Sequence, residues 1–116
     1  MELDYCTIID ELLRRFPEAE NNVKQDCLDL PHVVFESGVI PIIKESLKNS
    51  DTKTQQMFSF LEEMALSTDE EVRNLLLVSG LEALADDGSV RELAKAQMGE
   101  ATYKLYLELG TYMRNI

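Results

Sequence analysis

The residues of this chain best suited to chemistry are its single histidine and a nearby thiol and carboxylate. His32 follows Cys27 and Asp29 in the sequence, and a thiol, an imidazole and a carboxylate are the groups of a nucleophilic catalytic site. No motif orders the three groups, and a loop or helix-start histidine after Pro31 is the better interpretation. We predict no catalytic residue in this chain.

Adjacent carboxylates form a second set of candidates for chemistry. The pairs are Glu62 with Glu63, Glu70 with Glu71, and Asp86 with Asp87. Two carboxylates that share a pocket act as general acid and base in hydrolases. Neighbouring residues of a helix point about 100° apart, however, so the members of a pair do not share a pocket. We interpret the pairs as surface charge and expect no enzymatic activity.

The sequence also lacks the spacings that bind metals and phosphates. His32, Cys6 and Cys27 lie too far apart for a zinc motif, and the five glycines occur singly, so no glycine-rich phosphate loop is present. We therefore predict no metal and no cofactor. The two cysteines are interpreted as reduced, small buried apolar residues.

Length and charge indicate one acidic globular domain. The chain has 116 residues, of which 45% are hydrophobic and 28% charged, so we predict a single domain over residues 1–116. The formal net charge of -11 disfavours nucleic acid and anionic membranes as partners and favours a basic protein. The N-terminus lacks the basic start of a signal peptide, and no stretch has 18 uninterrupted apolar residues, which predicts a cytoplasmic protein.

Hydrophobic periodicity predicts helices along most of the chain, with a loop that leads to Pro31. Helices are expected over residues 2–16, 40–49, 52–66, from 69 to the Asp86-Asp87-Gly88 stop, from a Ser89 cap to Gly99, and over 101–114. Pro17 is placed to open a short additional helix. Residues 33–43 are rich in β-branched side chains and would suit a strand, but Gly38 and Pro41 favour a short helix, a break near Gly38 and a new helix.

Two capping boxes and a leucine-rich stripe define the second half of the chain. Thr68 with Glu71, and Ser89 with Glu92, have the spacing of reciprocal N-terminal caps, and Gly88 is expected to be left-handed. The most apolar helix follows Thr68, and its predicted core residues are Leu75, Leu76, Val78 and Leu81. The methionines at 57, 64 and 98 are also assigned to the core. The tyrosines at 103, 106 and 112 cluster on the last helix, and two interpretations stay open for them: an interface or the edge of the core.

Two segments of the chain resemble a known helical repeat. TKTQQMFSFLEEMALS and DEEVRNLLLVSGLEALAD resemble the HEAT or armadillo hairpin, in which Asp-x-x-Val-Arg opens the second helix; Asp69, Val72 and Arg73 match that start. Residues 30–114 are also similar to small acidic all-helical bacterial proteins of unknown biochemistry, through HVVFESGVIPII, FLEEMALSTDEEVRNLLLVSGLEAL and AQMGEATYKLYLEL. No fixed period recurs, so we expect an all-α, compact helical bundle of five to seven helices with one HEAT/armadillo-like α-hairpin.

The resemblance implies a binding role, because some small acidic helical proteins of this kind are immunity partners of bacterial toxins. We expect a non-enzymatic protein-binding module, specifically an immunity-like or antitoxin-like inhibitor whose acidic surface occupies the basic site of a toxin that acts on nucleic acid. An adaptor or self-assembling scaffold is the alternative, with a homo-oligomer left open, and an enzyme with an unrecognised site is the third class.

The expected binding surface is the acidic edge around the turn at residues 67–68. Its members are Glu62, Glu63, Asp69, Glu70 and Glu71. Helix capping accounts for only part of this charge, so we predict that the remaining carboxylates bind the basic partner. The second candidate surface, at the other end of the hairpin, contains Asp51, Asp86 and Asp87.

Overall fold

The computed structural model describes residues 3–113, with side chains described as far as Leu109. The described residues contain no β-strand. Their helices are α1 (Ile8–Arg15), α2 (residues 31–49), α3 (Thr54–Ala65), α4 (residues 70–86), α5 (Arg91–Gln97) and α6 (Glu100–Met113). The 3₁₀ segments Pro17–Asn22 and Gln25–Cys27 connect α1 to α2. The predicted all-α bundle of five to seven helices is confirmed.

α1 forms where the apolar residues recur at helical spacing and the terminal charges match the helix dipole. Ile8 and Leu12 are fully buried, with acidic residues in the first turn and Arg14 and Arg15 in the last. Phe16 leaves the helical conformation because Pro17 follows it. The helix begins at Ile8 and not near residue 2 as expected, since the backbone and side chain of Asp4 form a turn with Thr7.

α2 is continuous, so the predicted break near Gly38 is wrong. It consists of Pro31–Val33, a π-helical segment Val34–Val39 and an α-helical segment Ile40–Asn49. A Cβ atom at Gly38 would lie about 3.1 Å from Ala19, so the glycine allows the Pro17–Asn22 segment to pack closely on α2. The helix ends at Asn49, and the next residue, Ser50, adopts the left-handed conformation with φ of 52°.

α3 and α4 lie at the centre of the bundle. α3 packs against α2, α4, α5 and α6. α4 consists of Glu70–Leu76, a π-helical segment Leu77–Leu81 and Glu82–Asp86. Its predicted core is confirmed at Leu75, Leu76 and Leu81, which have no solvent exposure.

The prediction that Val78 belongs to this core is wrong, because its side chain is 47% exposed. At about 100° per residue, Val78 lies to the side of the stripe formed by Val72, Leu75, Leu76 and Ser79. The extra residue of the π turn then brings Leu81 and Leu84 onto the buried side. Ser79 and Gly80 take the buried positions instead. A regular 3.6-residue period therefore does not describe the middle of α4.

The π segments of α2 and α4 pack against each other at Gly80 and Phe35. A Cβ atom at Gly80 would lie 2.4 Å from the ring of Phe35, which is fully buried. We therefore expect Gly80→Ala to lower the free energy of unfolding by about 1 to 2 kcal/mol through overpacking. Urea unfolding measures this loss. Gly88→Ala is the control, because a Cβ atom at Gly88 would have no neighbour within 4 Å, so this variant should change stability little. If both variants were as stable as the wild type, the close packing of Gly80 on Phe35 would be contradicted.

The predicted Ser89–Glu92 capping box is wrong. α5 begins at Arg91, and Asp87 makes the turn: its carboxylate accepts hydrogen bonds from the backbone N–H and the hydroxyl of Ser89, at 3.0 and 2.6 Å. Gly88 was expected to be left-handed, but none of the described glycines has positive φ. The turn therefore depends on an aspartate side chain and not on glycine.

The remaining side chains give a mixed outcome. Met64 is buried, while the methionines at 57 and 98 are half-buried at the core surface. Cys6 is exposed and Cys27 half-buried, so the prediction of two buried cysteines is wrong for Cys6. Both thiols are free. The side chain of Tyr112 lies outside the described residues.

The bundle has nearly equal dimensions in all directions. Its principal extents are 35 × 32 × 29 Å, and its Cα radius of gyration is 13.2 Å. A compact chain of this length is expected at about 13 Å. The buried apolar side chains form one core, which extends from Leu3 to Leu109. The helices therefore form a compact bundle and not an elongated solenoid.

Candidate functional site

The predicted acidic edge lies at the turn between α3 and α4, and the structure divides its five carboxylates into two groups. Three of them, Glu62, Glu63 and Asp69, form hydrogen bonds or an ion pair within the fold. Glu70 and Glu71 are exposed. The five side chains therefore do not form one free surface.

Glu62 caps the N-terminus of α6. Its carboxylate accepts hydrogen bonds from the N–H groups of Ala101 and Thr102, each at 2.9 Å, and from the Thr102 hydroxyl at 2.8 Å. A Cβ atom at Gly99 would lie 2.5 Å from the Glu62 carboxylate, so a glycine at that position allows the approach. Burial favours a raised pKa for Glu62, but the hydrogen bonds outweigh it and hold the pKa below its usual range.

Glu63 pairs with Arg15 of α1 at 3.3 Å, and the guanidinium group of Arg15 also lies over the ring of Phe60, 5.0 Å from its centroid. Both charged side chains are substantially exposed. The pair therefore joins α1 to α3 at the surface, where an ion pair contributes at most about 1 kcal/mol.

Asp69 is the N-cap of α4. Its Oδ1 accepts the N–H of Glu71 at 3.0 Å, and its Oδ2 accepts the N–H of Tyr5 at 2.8 Å. The predicted capping box of Thr68 with Glu71 is therefore displaced by one residue, because the helix begins at Glu70. One carboxylate both caps α4 and fixes the N-terminal segment to it.

The two exposed members, Glu70 and Glu71, lie at a groove between α4 and α6. The groove has a volume of about 540 Å³ and is lined by Glu70, Glu71, Arg73, Asn74, Leu77, Leu105 and Glu108. Both leucines are half-buried and pack on the core, so they form an apolar floor. The carboxylates come from both walls. We call this feature the α4–α6 groove.

The charges of the α4–α6 groove are not balanced within the described part of the chain. Arg73 donates to the carbonyl oxygen of Ser67 at 2.6 Å, and no ion pair joins a described cation to Glu70, Glu71 or Glu108. The groove beside α1, of about 500 Å³, differs: Glu11 pairs there with Arg14, and Glu63 with Arg15. The α4–α6 groove thus retains an excess of negative charge.

The second predicted surface is engaged in the fold at two of its three residues. Asp51 accepts the N–H of Lys53 at 2.9 Å. Hydrogen bonds from Ser89, followed by the Lys44 ammonium group at 3.3 Å, lower the pKa of Asp87 to about 2. Asp86 is exposed. These contacts stabilise turns, so this end has less free charge than the α4–α6 groove.

The candidate catalytic histidine is part of the helix packing. His32 lies in the first turn of α2 after Pro31, and its Nδ1 is hydrogen bonded to the hydroxyl of the buried Ser79 in α4. The thiol of Cys27 contacts the carboxylate of Asp26. Among residues 3–113, no three histidine, cysteine, aspartate or glutamate side chains are grouped as metal ligands. Within the same residues, no helix combines the length and the apolarity that crossing a bilayer requires.

Sequence reasoning missed the α6 wall of the groove. Leu105 and Glu108 are 28 or more positions away from Leu77 in the sequence, and three positions apart on α6, so they share a helix face. That spacing indicates that the two side chains face the same way. The spacing does not show which other helix Leu105 and Glu108 lie beside.

A family model matches residues 9–114, which include all of α2 to α5 and both walls of the groove. The chain belongs to the DUF7674 family. Its description is a domain of unknown function. No curated protein and no solved structure matches the chain.

The groove therefore lies entirely within the DUF7674 domain. The Glu62 contact to α6 and the Asp69 cap of α4 also fall inside the matched residues. The carboxylates that hold the two walls and the carboxylates that line them thus belong to one domain.

Proposed function

We propose that this DUF7674 domain is a non-enzymatic, cytoplasmic protein-binding module that recognises a basic protein partner through the α4–α6 groove. One observation carries the proposal: Glu70, Glu71 and Glu108 line the same groove, no described ion pair involves them, and the single cation of the lining, Arg73, offsets only part of their charge. Glu62 and Asp69 support the two walls, whereas Glu63 pairs with Arg15 of α1. The binding surface thus includes two of the five predicted residues and adds Glu108 from α6.

Charge complementarity supports a basic protein as the partner. The net charge of -11 repels nucleic acid and anionic membranes, whereas it accelerates encounter with a positively charged protein surface. Carboxylates arranged along a groove can occupy the place that phosphates take in a basic, nucleic-acid-binding site. The more specific proposal is therefore an immunity-like inhibitor of a basic bacterial toxin domain, as the sequence resemblance implies.

An adaptor or self-assembling scaffold remains the second candidate, and the surface of α6 favours it. Tyr103 and Leu107 are 40% and 52% exposed and lie one turn apart on α6. The ring of Tyr103 stacks on Tyr106 with 6.2 Å between centroids. Aromatic side chains such as tyrosine are enriched at the cores of protein interfaces. Self-association through this face would give a homo-oligomer and would not depend on the groove carboxylates.

A matched pair of variants tests the role of the groove. The groove variant replaces Glu70, Glu71 and Glu108 with glutamine. The control variant also introduces three glutamines, at Glu18, Glu20 and Glu36, which are exposed and do not line the groove. Both variants change the net charge by the same amount. A partner is first isolated from native cells by cross-linking and then purified, and its affinity for each variant is measured by calorimetry.

The groove variant is expected to bind the partner roughly tenfold more weakly, since each exposed ion pair contributes about 0.2–1 kcal/mol and about 1.4 kcal/mol is a factor of ten. Association should also slow and depend less on salt, while the control variant stays close to the wild type. If both variants lost the same affinity for the partner, net charge alone would explain the effect and the groove would have no specific role. If the groove variant lost no affinity, the proposed binding site would be refuted.

A further inference from the structure

The α4–α6 groove offers two different chemical surfaces to an occupant. Its floor consists of the apolar side chains of Leu77 and Leu105, and its rim carries Glu70 and Glu71 on one wall and Glu108 on the other. A purely hydrophilic cation would leave the floor without a contact. A purely apolar side chain would leave the three carboxylates with Arg73 as the one cation of the lining, so most of their charge would have no partner. The occupant must therefore be apolar along its length and positively charged at its end.

The dimensions of the groove limit the occupant to side chains. Along α4 the lining extends from Glu70 to Leu77, which corresponds to about 10 Å at about 1.5 Å per residue. A helix with its side chains is about 10–12 Å across, so a helix does not fit inside a groove of about 540 Å³. A partner surface can insert one or two of its side chains.

Two amino-acid side chains have an apolar stem and a cationic end, and the arrangement of acceptors distinguishes them. Lysine presents a compact, strongly hydrated point charge, whereas arginine presents a planar group with five donors and weaker hydration. The groove has acceptors on two separate walls, and Asn74 adds a polar side chain between Glu70 and Leu77 on α4. This arrangement matches a guanidinium group, whose donors project in several directions. The flat face of a guanidinium group also packs on an apolar floor.

We propose that the α4–α6 groove binds an arginine side chain of the partner protein, with its methylene stem on Leu77 and Leu105 and its guanidinium group between the carboxylates of α4 and Glu108. The inference rests on the proposed function and names the partner residue that the groove selects. The chain's own Arg73 does not fill this role, because its guanidinium group donates to the Ser67 carbonyl.

The test uses synthetic peptides whose central residue alone is varied. Three otherwise identical glycine- and serine-rich peptides carry a central Leu-X-Leu, where X is arginine, lysine or citrulline, the neutral analogue of arginine with nearly the same shape. Each is titrated into the isotopically labelled protein, and the backbone amide shifts of residues 70–77 and 105–108 are followed by NMR. The ligand is varied and the fold is left intact.

The arginine peptide is expected to shift these amides with the highest affinity, and citrulline to weaken binding by about tenfold, because citrulline has no charge and its hydrogen bonds to the carboxylates are weaker. The lysine peptide should bind with intermediate affinity. The glutamine variant of Glu70, Glu71 and Glu108 should lose the preference for arginine over citrulline. Raising the ionic strength should weaken the arginine peptide more than citrulline.

Three results would overturn the inference: equal binding of arginine and citrulline, equal binding of arginine and lysine, or shifts outside the groove. The outcome is separable from that of the proposed function. If the native partner loses affinity for the groove variant while the arginine peptide leaves the groove amides unchanged, the module binds a basic partner without an arginine in this groove. If the groove variant also binds the native partner normally, both proposals fail.

Discussion

Replacing Leu76 with alanine is expected to lower the free energy of unfolding by about 2–5 kcal/mol, the range for leucine truncation in a packed core. The Leu76 side chain has no solvent exposure and lies in the last turn before the π segment of α4. α4 packs there against α2, α3 and α6, so the surrounding helices cannot easily close a cavity. Urea unfolding followed by circular dichroism measures the loss.

Val78→Ala is the matched control for Leu76→Ala. Val78 is two residues further along α4 but 47% exposed, so its truncation should change stability by no more than about 0.5 kcal/mol. A Leu76→Ala loss of that small size would make α4 a peripheral helix. If Val78→Ala were as destabilising as Leu76→Ala, the exposed position of the Val78 side chain would be contradicted.

The sequence predicts α4 well where the rules are local. Apolar spacing identifies Leu75, Leu76 and Leu81 as core residues, and the acidic residues 69–71 mark the start of the helix. Both features depend on residues within two turns of one another. The ambiguous segment at residues 33–43 is correctly assigned to helix and not to strand, although the predicted break near Gly38 is wrong.

The sequence does not predict the π segments, because their cause lies in tertiary packing. Gly38 packs against the Pro17–Asn22 segment, and Gly80 packs against Phe35, which is 45 positions away from it. A lone glycine within a helical pattern is locally indistinguishable from a helix end. The error at Gly38 therefore originates in packing between separate segments, whereas the error at Val78 arises because an apolar residue of a helix that is apolar around much of its circumference is assigned to the core.

The sequence predicts only the part of the candidate site whose residues lie close together along the chain. Glu70 and Glu71 are recognised because they cluster with other acids along the chain. Glu62 belongs to the same cluster, but it caps a helix that begins 38 residues later. Glu108 has no acidic neighbour within seven residues along the chain, and only the packing of α6 beside α4 brings it to the groove. Clustering in sequence therefore cannot separate structural carboxylates from free ones.

Replacing Glu62 with alanine is expected to lower the free energy of unfolding by about 1.5–3 kcal/mol, the range for hydrogen bonds to a charged group. The variant leaves the N–H groups of Ala101 and Thr102 without their carboxylate acceptor. Because the folded pKa of Glu62 is lowered, its contribution is present above the usual pKa of 4.5 and is lost as the pH falls through the folded value. The difference between variant and wild type should therefore be full at neutral pH and shrink in acid.

The same variant connects the capping carboxylate to the groove, because α6 supplies one groove wall and Glu62 holds the N-terminus of α6. Hydrogen exchange should show faster exchange at residues 101–105, and partner affinity should fall although no groove side chain has changed. Glu63→Ala is the control, since Glu63 forms only the exposed pair with Arg15 and should cost at most about 1 kcal/mol. If Glu62→Ala and Glu63→Ala were equally stable and α6 exchanged at the wild-type rate, the three hydrogen bonds would not be what holds this wall in place.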